Sequence, residues 1–218
     1  MQTRTILNPV IGFGTGRCGT KSLARILDSC VGCYFTHEKY LIKWGEINQG
    51  VINDTVKDFK DHLSSEIIRG IVSLTYINLI PELMKIFPGV KLIHIYRNKT
   101  DVVRSFTTQH GNISRITPET REKAIENALI HVNANNIHPL AGSPYIFPTL
   151  NASSTEESYE KYYDYYMGLV DNLRTYYNIY DLNVKDLSSD KKLAKLYTFI
   201  EIPKNNRRFP ERRVYNRG

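Results

Sequence analysis

The chain contains no apolar run approaching the ~20 residues that span a bilayer, and only three cysteines, an odd number, among its 218 residues. The first absence excludes a membrane-crossing helix. The second argues against a disulfide framework and for a reducing compartment. Also missing are a zinc-finger spacing, an RNP-like aromatic pattern and a helix-turn-helix, so nucleic acid is not an expected partner. An apolar strand pattern begins too near Met1 to leave room for a signal peptide, and the expectation is a cytoplasmic protein. Cys30-Val31-Gly32-Cys33 has redox spacing but lacks a second cysteine pair or a His ladder for zinc. It straddles the entry to a strand, where no helix start would stabilise a thiolate, and reads as incidental; no metal site is expected.

The residues present fit one α/β domain covering 1–218, with 41% hydrophobic content and enough length for a full core. The formal charge of +7 is concentrated at the end of the chain. From Lys204 to Gly218 there are six basic residues (Lys204, Arg207, Arg208, Arg212, Arg213 and Arg217) against Glu211 alone, a net of +5. A solvated basic end that binds nothing specific is one account of this segment.

The most informative stretch follows the apolar residues Val10 to Phe13. It reads Gly14-Thr15-Gly16-Arg17-Cys18-Gly19-Thr20-Lys21-Ser22 and then enters a helical pattern. Small residues let backbone amides turn toward an anion, and the helix start adds its positive end, which makes a phosphate cradle. A Walker A loop requires Lys directly after the second fixed Gly, but Thr20 follows Gly19 and Lys21 comes one residue late, a rotation of roughly 100° on a helix. A Cys-x₅-Arg phosphatase loop would need Arg at 24; Ala24 stands there, which makes Cys18 a weak nucleophile candidate.

A second segment, Lys91 to Phe106, reads as a buried strand ending at Arg97, then a helix carrying Ser105 eight residues later. A planar guanidinium takes phosphate oxygens in bidentate fashion, and a hydroxyl two turns along a helix can close on the same group. Together the two segments resemble the sulfotransferase family. Phe87-Pro88-Gly89-Val90 resembles that family's lead-in to the Arg-bearing strand, and Tyr180 to Leu187 followed by a helix ending at Phe199-Ile200 resembles its closing elements. The stretch from about Gly111 to Ser158 matches nothing recognisable.

The resemblance implies a three-layer α/β sandwich with a mostly parallel central sheet, related to P-loop NTPases. It also implies transfer of a sulfuryl group from 3′-phosphoadenosine 5′-phosphosulfate (PAPS) to an acceptor hydroxyl, by in-line displacement, without a metal, leaving 3′-phosphoadenosine 5′-phosphate (PAP). On that reading Gly14, Thr15, Gly16, Arg17, Cys18, Gly19, Thr20, Lys21 and Ser22 hold the 5′-phosphosulfate, while Arg97 and Ser105 hold the 3′-phosphate. Arg17 also stabilises charge on the leaving phosphate. The basic segment 204–218 would fold over the nucleotide, the second account of its charge.

Acceptor activation requires a base. Thr36-His37-Glu38 follows the second strand, where several branches of the family place a catalytic Glu; Glu38 is the first candidate and His37 the second. Carbohydrate, lipid-linked sugar, small metabolite and peptide tyrosine are all open as acceptors, and analogy alone favours a glycan or glycolipid hydroxyl. A P-loop kinase or NTPase, and a non-catalytic nucleotide- or polyanion-binding module, stand as the alternatives.

Periodicity predicts strands at 10–13, 31–35, 70–74 and 91–96 and a fifth near 180, with helices at about 19–28, 55–68, 76–87, 100–109, 118–137, 156–177 and 190–200. Alternation of this kind predicts helices on both faces of a parallel sheet. Tyrosines 159, 162, 163, 165, 166, 176, 177 and 180 are expected mostly to pack, with their phenol tips reaching water.

Overall fold

A computed structural model describes residues 8–39, 49–62, 67–110 and 152–210. The elements in chain order are β1 (Val10–Phe13), α1 (Thr20–Asp28), β2 (Cys33–His37), α2 (Gln49–His62), β3 (Ile68–Val72), a 3₁₀ turn (Thr75–Asn78), α3 (Ile80–Ile86), β4 (Lys91–Tyr96), α4 (Lys99–His110), α5 (Thr155–Arg174), β5 (Ile179–Asn183) and α6 (Asp190–Phe199). The sheet is parallel throughout, in the order β2-β3-β1-β4-β5. This is the expected α/β architecture.

The central strands are covered on both faces, which is why they read as unbroken apolar runs. Val10, Ile11 and Phe13 of β1, and Leu92, Ile93 and Ile95 of β4, are fully buried. Gly12 faces α1: a methyl there would meet Val72 and Leu23, so the helix packs directly on the strand. α1 supplies Leu23, Ile26 and Leu27 to that layer. On the opposite face α5 buries Tyr159, Tyr162, Tyr166, Val170 and Leu173, a 3–4 spacing that marks one side of a helix. At its start the Ser154 hydroxyl accepts the Glu157 amide at 3.1 Å as the helix cap, and the Glu157 carboxylate accepts the Ser153 amide at 2.6 Å. Its end is tied to β5 by Arg174, whose guanidinium bonds Asp181, which also holds the buried His94 Nδ1 at 2.8 Å.

Several boundaries differ from the sequence expectation. β2 and β3 each begin two residues away from the expected start, β2 later and β3 earlier, because the observed ladder pairs Cys33 with Ile68 and His37 with Val72. The helix expected at 55–68 is found at Gln49–His62. The single helix expected at 76–87 is broken into the 3₁₀ turn and α3, with Pro81 in the first turn of the latter, where its missing amide costs nothing. The helix expected at 118–137 lies outside the described residues.

The topology sets the position of the site. From β1 the chain leaves toward β2, and from β4 toward β5, so the crevice between the carboxyl ends of β1 and β4 is the switch point where ligands of open α/β sheets bind.

Candidate active site

The register aligns Phe13 with His94, placing the loop after β1 beside the residues that follow β4. That loop turns sharply through three residues of positive φ: Gly16 at 78°, Arg17 at 53° and Gly19 at 99°. Gly14 is required for another reason. A methyl on it would lie 2.3 Å from the Ile95 carbonyl oxygen and 2.6 Å from Cys18 Sγ, so only glycine lets the loop leave β1 against β4.

The side chains of the loop divide into two groups. Thr15 and Cys18 turn inward. The Thr15 hydroxyl bonds the Gly16 carbonyl at 2.9 Å, and Cys18 is fully buried. Burial outweighs the nearby Thr15 hydroxyl and loop amides and pushes the Cys18 thiol up to about 11, so it is protonated and no nucleophile at neutral pH. Both residues are left with their backbone to offer a ligand. Arg17 and Thr20 turn outward in different directions and create two centres.

Around Arg17, the guanidinium Nε donates to Ser105 Oγ at 2.9 Å. Burial and then the charge of Arg97 hold the Arg17 pKa below the ordinary guanidinium value. The Arg17 guanidinium thus feels the Arg97 charge in a half-buried place. Asp101, 3.4 Å from Arg97 Nε, offsets part of that charge. Arg97 and Ser105 therefore face one region and share Arg17 as neighbour. An arrangement that forces like charges together is stabilised by an anion between them.

Around Thr20, the hydroxyl lies 3.1 Å from His37 Nε2, which is 3.7 Å from Glu38 Oε1. His37 ends β2, and Glu38 follows with φ at 50°, its amide bonded to the Val72 carbonyl at 3.0 Å. Non-glycine residues in the left-handed region concentrate at functional sites. The Glu38 side chain is buried, and its Oε2 has no hydrogen-bond partner among the described residues. Burial raises its pKa to about 7, against the lowering effect of Lys21. His37 moves the other way, to about 4, because burial first and then the charges of Lys21 and Arg25 disfavour the imidazolium. At neutral pH the imidazole is therefore uncharged, and the carboxyl is poised between its two forms. Lys21 itself is exposed and Ser22 half-buried in the first turn of α1.

Sequence reasoning did not find the tyrosine clamp. Tyr162 donates to the Thr15 carbonyl at 2.8 Å, Tyr163 to the Arg97 carbonyl at 3.0 Å and Tyr166 to the Leu74 carbonyl at 3.1 Å. The sequence expectation is that phenol tips reach water; instead these phenols bond the backbone leaving the carboxyl ends of β1, β4 and β3, with Tyr162 and Tyr166 buried. Carbonyls just past strand ends have lost their ladder partners and need donors. Tyr159 completes the wall by stacking on Phe106 with ring centroids 4.8 Å apart. The helical spacing was the available signal, but it cannot tell a packed phenol from a donating one.

The charged end of the chain divides. Lys204 opens a 3₁₀ turn (Lys204–Asn206) that follows α6, and Arg207 and Arg208 run back against the end of α6 and the turn before β2, at the amino end of the sheet. There Arg207 Nε donates to the Ile202 carbonyl at 3.0 Å and its Nη2 to Thr198 Oγ1 at 3.1 Å. For these residues the expected fold over the nucleotide is not what is found; Arg212, Arg213 and Arg217 lie outside the described residues.

A family profile described as a sulfotransferase domain matches residues 9–214. The chain belongs to that family. No curated protein matches it. The sulfotransferase match covers both anion-facing segments and also the stretch 111–158, whose sequence resembles nothing recognisable by eye. Membership supports sulfotransfer in general, rather than phosphoryl transfer. Among the described residues no helix is long and apolar enough to cross a membrane.

Proposed function

We propose that the chain transfers a sulfuryl group from PAPS to an acceptor hydroxyl, with Glu38 as general base. The observation that carries the reading is the convergence of Arg17, Arg97 and Ser105 beside a loop of positive-φ residues at the carboxyl end of β1. Arg97, with the Ser105 hydroxyl held by Arg17 nearby, suits one phosphate, and the loop suits a second anion, so the residues fit a nucleotide phosphorylated at both ends.

When bound, PAPS would supply an activated sulfuryl group on an excellent leaving phosphate. The loop amides and Thr20 would hold its 5′ side, and Arg97 and Ser105 its 3′-phosphate. Arg17 stabilises negative charge on the leaving side, the electrostatic contribution that is usually largest. Glu38 Oε2, buried and without a hydrogen-bond partner among the described residues, accepts the acceptor's proton; a base with pKa near 7 combines a useful ionised fraction with good proton affinity. His37, neutral, links Thr20 to Glu38 and holds the carboxyl beside the loop.

Calorimetry with PAP against ATP tests the donor. Micromolar binding of PAP with ATP far weaker is expected, and Arg97→Ala should weaken PAP by tenfold or more, the typical size of a lost charged hydrogen bond of roughly 1.5–3 kcal/mol. Preference for ATP, or no change in PAP affinity on Arg97→Ala, overturns the assignment. An acceptor panel led by sugars and glycolipids, read as PAP release, then tests the transfer. PAP binding without any turnover would leave only a binding module.

A further inference from the structure

The Cys30-Val31-Gly32-Cys33 motif is used nowhere in the reaction above, and its surroundings in the fold are not those of incidental cysteines. The four residues form a closed turn between α1 and β2: the Cys33 amide donates to the Cys30 carbonyl at 3.2 Å, and Gly32 has φ of 70°. Such a turn holds its first and last Cα atoms within about 7 Å, the range a disulfide can bridge.

A second chain segment closes over this turn. The Arg208 amide points at Cys30 Sγ at 3.5 Å, the Val31 amide donates to the Asn206 carbonyl at 2.9 Å, and the Tyr197 phenol bonds the Arg208 carbonyl. A sulfur that receives a backbone amide beside an arginine is stabilised as the thiolate, without a helix start. The Cys30 pKa is accordingly lowered to about 6, through Cys33 first, against burial, and then through the Arg208 amide, Tyr197 and the Arg208 charge. Cys33 is partly exposed and Val31, inside the turn, is 49% exposed, so the motif meets solvent on one side.

We propose that Cys30 and Cys33 form a reversible thiol–disulfide site that reacts with low-molecular-weight disulfides and whose reduced state clasps the segment 204–210. The steps balance as two exchanges. The Cys33 thiol, the accessible one, gives up its proton to solvent as it attacks the reagent disulfide; one protein–reagent S–S bond forms and one reagent thiolate leaves. The Cys30 thiolate then attacks Cys33 Sγ, forming the 30–33 bond and expelling the second reagent thiolate. Two protein sulfurs are oxidised, one reagent disulfide is reduced to two thiolates, and the single proton released by Cys33 is taken up by one of them. Once bonded to Cys33, the Cys30 sulfur carries no charge for the Arg208 amide, and the clasp loses its charged contact.

The full chain, equilibrated across glutathione:glutathione-disulfide ratios, acid-quenched and alkylated, tests the first part by intact mass and peptide mapping. Expected at the oxidising end is a 30–33 link with Cys18 still alkylated, reversed by dithiothreitol and abolished by Cys33→Ser. Retention of all three thiols, glutathione left on Cys33, or a link to Cys18 overturns the site. Amide hydrogen exchange tests the clasp. The Arg208 amide should exchange roughly tenfold or more faster in the oxidised chain, as expected for loss of a charged acceptor. Equal exchange in both states overturns the coupling to the 204–210 segment. Because Cys33→Ser alters a partly exposed side chain and leaves Cys30 buried, it distinguishes lost chemistry from lost folding.

Discussion

Replacing Glu38 by Gln should remove activity while changing the pH dependence of stability, and both effects follow from one buried carboxyl. Its pKa is about 7 in the folded chain, against 4.5 ordinarily, with burial the leading cause. Between those values the folded state holds a proton that the unfolded state has released, so the native protein loses stability as pH rises and the full penalty is present above about 7. Integrated from about pH 5 to pH 8, the penalty grows by roughly 2 to 3 kcal/mol. Gln cannot ionise, so the stability difference between Glu38→Gln and the native chain should shift in the variant's favour by that amount. Urea unfolding of both chains at the two pH values measures it, and comparing differences cancels every other titrating group, including His37. In the native enzyme, kcat/KM should rise with pH to an inflection near 7 and be about 100-fold lower two units below it. Lys21→Gln should move that inflection upward, because the Lys21 charge is what lowers the Glu38 pKa. An inflection near 4 would instead assign the base to His37. A stability difference independent of pH would refute the buried-carboxyl reasoning altogether.

Three further outcomes are expected. Gly14→Ala, whose methyl would overlap the Ile95 carbonyl and Cys18 Sγ, should destabilise by about 3 kcal/mol or more in urea unfolding, since a backbone atom cannot yield. Tyr162→Phe should cost about 1–3 kcal/mol and raise the donor KM more than the acceptor KM, because the Thr15 carbonyl loses its donor and the phosphate loop its anchor. Cys18→Ala should leave kcat nearly unchanged, with a small stability loss of about 1 kcal/mol for the vacated volume; a fall of the order expected on deleting a nucleophile, ~10⁴-fold or more, would restore Cys18 as a reacting group.

Local pattern was sufficient for the elements that carry the anion site. β1, the glycine-rich loop and α1 are adjacent in the chain, and β4, Arg97 and Ser105 lie within one strand–helix unit, so steric rules and hydrophobic period place them without reference to the rest of the molecule. β4 falls where the periodicity puts it. β2 and β3 do not, because in a parallel ladder their ends depend on a partner distant in the chain, and the His37–Val72 pairing is what leaves Glu38 just past the strand.

The residues available for chemistry could therefore be named from their order, but their states could not. Arg17 meets Ser105 across 88 positions, and its neighbour Arg97 arrives from a third element. Glu38 holds its proton near neutrality, and His37 refuses one, because packing has withdrawn both from water; desolvation is a property of the assembled core that no short stretch of chain encodes. The tyrosines of α5 and the Cys30 sulfur carry the same lesson. Their side-chain types are plain in the chain, whereas the carbonyls and the Arg208 amide that give them work are brought to them only when the helices close on the sheet.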